Sequence, residues 1–153
     1  MSIHQLIYRS TASRRLADDE LGRLIAQARI YNYSQAVTGV LFYAGQQFLQ
    51  VLEGDPAVVR PLYEHIAHDS RQANVVKLLD ASGPERLFPH WSMGFSEVCP
   101  AALARLLAYL EPELRAGQLP RGYHAQTVVA GLLREFVASL SAGPQLPICS
   151  KPD

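Results

Sequence analysis

Two apolar runs, residues 37–43 (VTGVLFY) and 47–53 (QFLQVLE), are separated only by Ala44-Gly45-Gln46. The glycine in that link suits a tight hairpin, and a hairpin commits both runs to antiparallel pairing. Everything else in the chain must be built around it. Upstream, residues 3–9 form a short apolar run suited to a buried strand. Asp18-Asp19-Glu20 then place acids where a helix begins, ahead of Leu21, Leu24, Ile25 and Ala28 at helical spacing. Downstream, Gly54-Asp55-Pro56 ends the hairpin and caps a second helix, with Val59, Leu62, Tyr63 and Ile66 on its inner face. Pro61 conflicts with a mid-helix position, so this helix is expected to start late enough to put Pro61 in its first turn. Residues 75–80 read as a fourth strand, Ser82-Gly83-Pro84 as a loop, and residues 91–98 as a fifth strand.

This order predicts an α+β, ferredoxin-like sheet (β-α-β-β-α-β-β) with two helices on one face. After Pro100 the pattern changes. Residues 101–110 and 123–140 are expected to add two C-terminal helices, joined by a link carrying Pro112, Gly117, Pro120 and Gly122. The expected division is a first domain over 1–98, a helical extension over 99–140, and a mobile tail over 141–153, rich in Pro and Gly.

The chain is 48% hydrophobic and 18% charged, enough for a packed core and unlike a disordered chain. Its formal net charge is +0 and its pI about 7.0. A neutral surface does not track phosphates, so neither nucleic acid nor an anionic membrane is an expected partner, while self-association is tolerated. No basic stretch followed by an apolar run and a small-residue cleavage site opens the chain, and no run approaches the ~18–20 apolar residues of a spanning helix. Cys99 and Cys149 lie far apart and read as reduced thiols of a cytoplasmic protein.

Catalytic machinery is not visible. The sequence has no GxSxG, no Gly-rich phosphate loop and no HExxH. His65 and His68 are three apart on the second helix, but a metal needs a third ligand; two histidines near a helix C-terminus are more often favourable charges there. No metal site is expected.

Polar residues inside the apolar runs carry more information. Tyr8 ends Leu6-Ile7-Tyr8, Gln50 interrupts Phe48-Leu49-Gln50-Val51-Leu52, and Asn32 follows the first helix just before the next strand. A phenol or carboxamide buried without a partner costs ~1–3 kcal/mol, so each needs one. If the first and third strands are the adjacent central pair, Tyr8 and Gln50 face the helices side by side. Asn32 then closes one side of a slot between the helices. A flat heteroaromatic ligand with carbonyl and imide edges would fit there, sandwiched by Leu24 and Ile66 and bonded at its rim by Asn32 and Gln50.

The stretches LIYRS, ARIYNYSQAVTGVLFYAGQQFLQVLEG, HDSRQANV and FPHWSMGF closely resemble the BLUF domain, a blue-light sensor that uses FAD. The resemblance runs over about residues 1–98, and beyond residue 100 the chain is similar to short BLUF proteins with two helices and no output domain. It implies that Tyr8 is the photochemical electron donor and Gln50 the switching amide between that phenol and the flavin. By the same resemblance Asn32 holds the C4 carbonyl and N3 edge. Leu24, Phe48 and Ile66 line the isoalloxazine slot, and Asp69 and Arg71 lie on its ribityl and phosphate side. Trp91 and Met93, two apart on the last strand and sharing a face, are the implied signalling pair. Two positions depart from the pattern: Tyr31 stands where relatives often have Asn or His, and Gln72 replaces a frequent His after Arg71.

The implied protein is a non-enzymatic photoreceptor. It would form homo-oligomers and signal to a downstream protein through its C-terminal helices. A small ferredoxin-like enzyme (acylphosphatase-type, or a dimeric α/β-barrel monooxygenase) is the alternative, and a ligand-free interaction module a third reading. The enzyme would need an anion cradle or a His/Asp set.

Overall fold

The computed structural model describes residues 3–98, 100–115 and 131. The chain divides into two compact units, Met1–Glu97 and Val98–Asp153. In the first, β1 (Ile3–Ala12), β2 (Thr38–Ala44), β3 (Gln47–Gly54), β4 (Gln72–Gly83) and β5 (Gly94–Glu97) form one sheet, ordered β4-β1-β3-β2-β5. Every pairing among the first four strands is antiparallel, as in a ferredoxin-like sheet. β5 is added alongside β2 in parallel, with Val40 opposite Gly94. The expected hairpin closes through Gly45, whose φ of 62° is the left-handed conformation that glycine adopts without a Cβ penalty.

Period-two alternation decides which side chains meet the helices. Leu6, Tyr8, Leu41, Tyr43, Phe48 and Leu52 lie on the helix-bearing face and share one core with Leu21, Ile25, Val59 and Tyr63. Ile7, Val40, Phe42, Leu49 and Val51 are buried on the other face. Gly39 is required by close approach. A Cβ there would lie 1.8 Å from the Val51 carbonyl oxygen on the adjoining strand.

α1 (Asp18–Ser34) starts on the three acids, as their spacing predicts. It runs past Asn32, so Asn32 occupies the last turn of the helix rather than the segment beyond it. No Gly or Pro stops the helix sooner, and the carbonyls of Tyr31, Asn32 and Tyr33 accept the closing N–H groups of residues 35–37. Asn32 stands seven residues after Ile25, two helical turns on, and so faces inward with it.

α2 (Pro56–Ala67) begins at Pro56, where the Asp55 carboxylate accepts the Ala57 N–H at 2.9 Å. The expectation that Pro61 sits in the first turn is therefore incorrect. A side-chain cap and a proline at the first helical position start the helix early, and Pro61 is carried in its interior.

Two strand boundaries also differ. β4 continues through Ser82 and Gly83, which pair with His4 and Ile3 of β1 instead of forming a loop. β5 starts only at Gly94, so Trp91 and Met93 precede the strand and share no face. In the second unit, α3 (Pro100–Arg115) extends the helix expected over 101–110. Its Leu103 and Leu106 are three apart, on one side. Apart from Gly131, the helix expected over 123–140 falls outside the described residues, as do the tail over 141–153, Cys99 and Cys149. No described helix is long and apolar enough to cross a membrane.

Candidate functional site

Facing β1 and β3, the two helices enclose a cavity of about 530 Å³. That lies within the range of ~300–1,000 Å³ typical of cofactor and small-ligand pockets. Tyr8, Leu24, Asn32, Phe48, Gln50, Ile66, Asp69, Arg71 and Met93 all line it. Leu16, Ile25, Gln27, Ala28, Tyr31, Leu62, His65 and Gln72 do so as well. Of the cofactor-site and signalling residues expected from sequence, Trp91 lies elsewhere. It is 40% exposed, and its ring stacks on Phe88 with centroids 5.5 Å apart and planes 9° from parallel.

Tyr8 and Gln50 are direct partners in the β1–β3 register. Both are buried, and the Tyr8 hydroxyl donates to Gln50 Oε1. The Gln50 Nε2 donates in turn to the Met93 sulfur at 3.3 Å. Burial pushes the Tyr8 phenol well above its usual pKa; a hydrogen bond with Gln72 opposes the shift, while Tyr63 and Asp69 add to it. The phenol therefore holds its proton throughout the neutral range. The Tyr63 ring lies 5.5 Å from the Tyr8 ring, tilted by 60°, and the Lys77 ammonium sits 5.3 Å from its centroid.

The segment before β5 is moored through its backbone. Three successive carbonyls, of Trp91, Ser92 and Met93, accept from Gly39 N–H, Asn32 Nδ2 and Arg29 Nε, each at 2.9 Å. Upstream of it, the fully buried Glu53 carboxylate accepts Leu87 N–H at 2.7 Å, and Phe88 N–H and Thr38 Oγ1–H at 3.2 Å. Burial raises the Glu53 pKa, and these three donors and nearby Arg86 act against that rise. The Glu53 clamp had no sequence signal beyond an acid at the end of an apolar strand.

At the cavity edge Arg71 grips Asp69 as a fork, Nη2 to Oδ2 at 2.6 Å and Nε to Oδ1 at 3.0 Å. The guanidinium holds the Asp69 carboxyl below the usual aspartate range. His65 and His68 separate: His65 lines the cavity, while His68 is exposed and its Nδ1 contacts the Glu64 carbonyl at 2.7 Å. Among the described residues no three His, Cys, Asp or Glu side chains gather as a metal site would require.

An apolar slot with a carboxamide on its rim, a second carboxamide on its floor and a buried phenol beside it suits a flat heteroaromatic cofactor with an imide edge. This arrangement on a ferredoxin-like sheet defines a class of cofactor-binding sensor domain, and the sequence relationships place the chain within it. The profile of the BLUF family, "Sensors of blue-light using FAD", matches residues 3–94, and the chain belongs to that family. FAD is the cofactor that defines the family.

The blue light- and temperature-regulated antirepressor BluF of Escherichia coli K12 is 37% identical over 87 residues, covering 54% of this chain and 21% of the relative. A photoactivated adenylate cyclase subunit beta-like protein FB of Euglena gracilis is 32% identical over 108 residues, covering 70% of this chain and 12% of that protein. The chain thus spans only 21% and 12% of the length of these two relatives. Among solved structures, BlsA in its photo-activated state superposes with a TM-score of 0.65 at 27% identity, covering 95% of this chain and 99% of BlsA.

Proposed function

We propose that this protein is a blue-light photoreceptor that binds FAD non-covalently and converts light into a changed hydrogen bond at Gln50. The observation that carries this reading is the buried Tyr8–Gln50 hydrogen bond on the floor of the cavity. Leu24 and Ile66 would sandwich the isoalloxazine, with Phe48 against it. Asn32, whose nitrogen is committed to the Ser92 carbonyl, would turn its oxygen to the imide edge. Asp69 and Arg71 would meet the ribityl and phosphate side.

On absorbing blue light, bound FAD supplies a strong one-electron oxidant. Tyr8 gives up the electron. Its oxidised phenol is a strong acid, so the proton leaves along the bond it already makes, to Gln50 Oε1. A carboxamide carries an acceptor and a donor on one rotatable group and can relay that proton. When electron and proton return to Tyr8, Gln50 would be left rotated or tautomerised, with its amide free to bond the cofactor differently. The absorption of the cofactor then shifts to the red.

A changed hydrogen bond amounts to about 1 kcal/mol, so only a nearly balanced element responds to it. Met93 and the segment 91–93 are that element in this reading, and Trp91 and Met93 are the signalling pair. In this reading the protein acts in the cytoplasm as a sensor and not as an enzyme. It signals by changing its own assembly or its contact with a separate protein, through a domain over 1–98 and the helical extension over 99–140.

The deciding measurement is a difference spectrum of flavin-loaded protein before and after blue light. A reversible red shift is expected, and an unshifted spectrum would refute the proposal. Denaturation should release all flavin into a filtrate; flavin retained on the chain would refute non-covalent binding.

A further inference from the structure

Tyr8, Tyr63 and Lys77 meet where α2 packs against β1 and β4. Lys77 of β4 stands directly opposite Tyr8 in the β1–β4 register, beside the irregularity between Ile7 and Tyr8. The Tyr63 ring, brought in by α2, has its centroid 5.5 Å from that of Tyr8, and the Lys77 ammonium sits over it at 5.3 Å. That is inside the ~6 Å over which a cation is drawn to the face of an aromatic ring. The ammonium is also tethered. Lys77 Nζ lies 3.0 Å from Asp80 Oδ2, and Asp80 Oδ1 in turn meets Nε2 of the buried His4 ring. The relay between Tyr8 and Gln50 uses none of Tyr63, Lys77 or Asp80.

A second phenol in contact with Tyr8 is a hazard to that relay. Two tyrosines are about equally easy to oxidise, so an oxidised Tyr8 can take an electron from its neighbour. We propose that the Lys77 ammonium, tethered over the Tyr63 ring by Asp80, keeps the oxidised state on Tyr8 by making Tyr63 harder to oxidise. The inference rests on the Tyr8–Gln50 photochemistry proposed above. Burial raises the pKa of the Tyr63 phenol, and Lys77 opposes that rise more strongly than Glu64 or Asp80 singly adds to it. At neutral pH Tyr63 therefore keeps its proton. Losing an electron would leave a positive ring facing a positive ammonium, and like charges at that separation repel.

In the productive cycle one electron passes from Tyr8 to the light-excited flavin and one proton from the Tyr8 oxygen to Gln50, and both return. In the escape that Lys77 opposes, one electron would pass from Tyr63 to the Tyr8 radical. The proton held at Gln50 would go back to the Tyr8 oxygen, and the Tyr63 phenol would release its own proton to water. Tyr8 would be whole again while the flavin kept its electron, and the oxidised site would have moved to α2. The return that switches Gln50 would then be lost. Asp80 holds the guarding charge in place, and the His4 ring holds Asp80.

The test uses Lys77→Met, Lys77→Arg and the double variant Lys77→Met with Tyr63→Phe, each in the full chain. Methionine keeps an unbranched side chain and removes the charge, whereas arginine keeps a cation for the ring. The first readout needs no light: the NMR positions of the Lys77 side-chain protons in the dark parent, with and without flavin, which a ring beneath them should move upfield. The second is the yield of the red-shifted state per absorbed photon, together with the tyrosyl radical trapped by freezing under illumination and read by electron paramagnetic resonance. Lys77→Met should lose yield several-fold and gain radical, and Lys77→Arg should match the parent. Because phenylalanine is far harder to oxidise, adding Tyr63→Phe should restore the yield, which it could not do if losing the Asp80 pair had merely damaged the fold. Lys77 protons at their free-chain positions would overturn the inference. So would an undiminished yield in Lys77→Met, or a loss that persists in the double variant. Failure of the underlying photochemistry would look different: the parent itself would give no red shift, and the inference would fall with it.

Discussion

Gln50 donates its N–H to the Met93 sulfur at 3.3 Å while its oxygen accepts the Tyr8 hydroxyl. A thioether is a weak acceptor, so the amide is held firmly on one side and loosely on the other. Met93→Leu is close in size and removes the weak acceptor. An N–H left unpaired costs on the order of 1 kcal/mol, which corresponds to roughly a five-fold change in rate. The variant should still form the red-shifted state but return to this amide orientation about five-fold more slowly, by the scale that relates barrier height to rate. Absorbance decay after a blue pulse measures this directly; an unchanged decay would show that the sulfur plays no part.

Deleting either end of the Tyr8–Gln50 bond separates binding from photochemistry. Gln50→Leu removes donor and acceptor at similar volume, and Tyr8→Phe keeps the ring but removes the proton. Both should load flavin, because the apolar slot is intact, and neither should give a long-lived shifted state. If illuminated Tyr8→Phe still forms that state, another residue donates the electron, with exposed Trp91 the first to test.

The Asp69–Arg71 pair predicts an acid-side effect. The Arg71 guanidinium lowers the folded pKa of Asp69, with partial burial working against it. On acidification the unfolded chain therefore takes up this proton first, near its ordinary value of ~3.9. The pair's contribution is present above that pH and is lost as pH falls through the lower, folded value. Side-chain exposures of 41% and 21% leave solvent to screen the pair, so the contribution should stay below about 1 kcal/mol. Asp69→Asn should flatten the acid limb of a urea-stability profile, and an unaltered limb would count against the pairing.

Gly39→Ala tests the close approach of β2 to β3. The added methyl would meet the Val51 carbonyl oxygen at 1.8 Å, backbone against backbone, so the strands must part. We expect a loss of about 3 kcal/mol or more, the upper end for overpacking. For a chain of 153 residues that lowers Tm by roughly 6–12 °C. Gly22→Ala is the matched control. Nothing lies within 4 Å of its Cβ, and exchanging a mid-helix glycine for alanine should stabilise by about 0.5–1 kcal/mol. Calorimetry of both variants checks this, and a Gly39→Ala protein as stable as the parent would refute it.

Self-association is the remaining prediction. A chain of zero formal net charge is expected to form homo-oligomers whose size or stability differs between dark and blue light. Light scattering after size exclusion in both states checks it. A monomer at every concentration in both would leave only a separate partner protein as the receiver.

Strand content and pairing were legible because unbroken apolar runs and one glycine link admit few arrangements. The side-by-side placement of Tyr8 and Gln50 followed from them. What escaped notice was set by contacts remote in sequence. The sequence puts Asn32 beyond the first helix and not in its last turn, because α1 ends on backbone carbonyls and not on a glycine or proline. A proline's lost hydrogen bond argues for the first turn, yet the Asp55 cap and Pro56 start α2 early and leave Pro61 inside it. WSMGF reads as strand from its side chains, yet residues 91–93 are held by donors from Gly39, Asn32 and Arg29. Gln72 reads as a simple departure from a familiar pattern, because its partner Ser10 lies on another strand.

Asn32 serves two masters if the cofactor is held as proposed: the imide edge through its oxygen and the Ser92 carbonyl through its nitrogen. Two equilibria that share one side chain are thermodynamically linked, and the linkage is reciprocal. Whatever orders the stretch before β5 must then raise flavin affinity, and flavin must protect that stretch in equal measure. Amide hydrogen exchange there would rise on stripping the cofactor. A downstream protein that clamped the stretch would, from outside the cavity, tighten the grip on the chromophore within it.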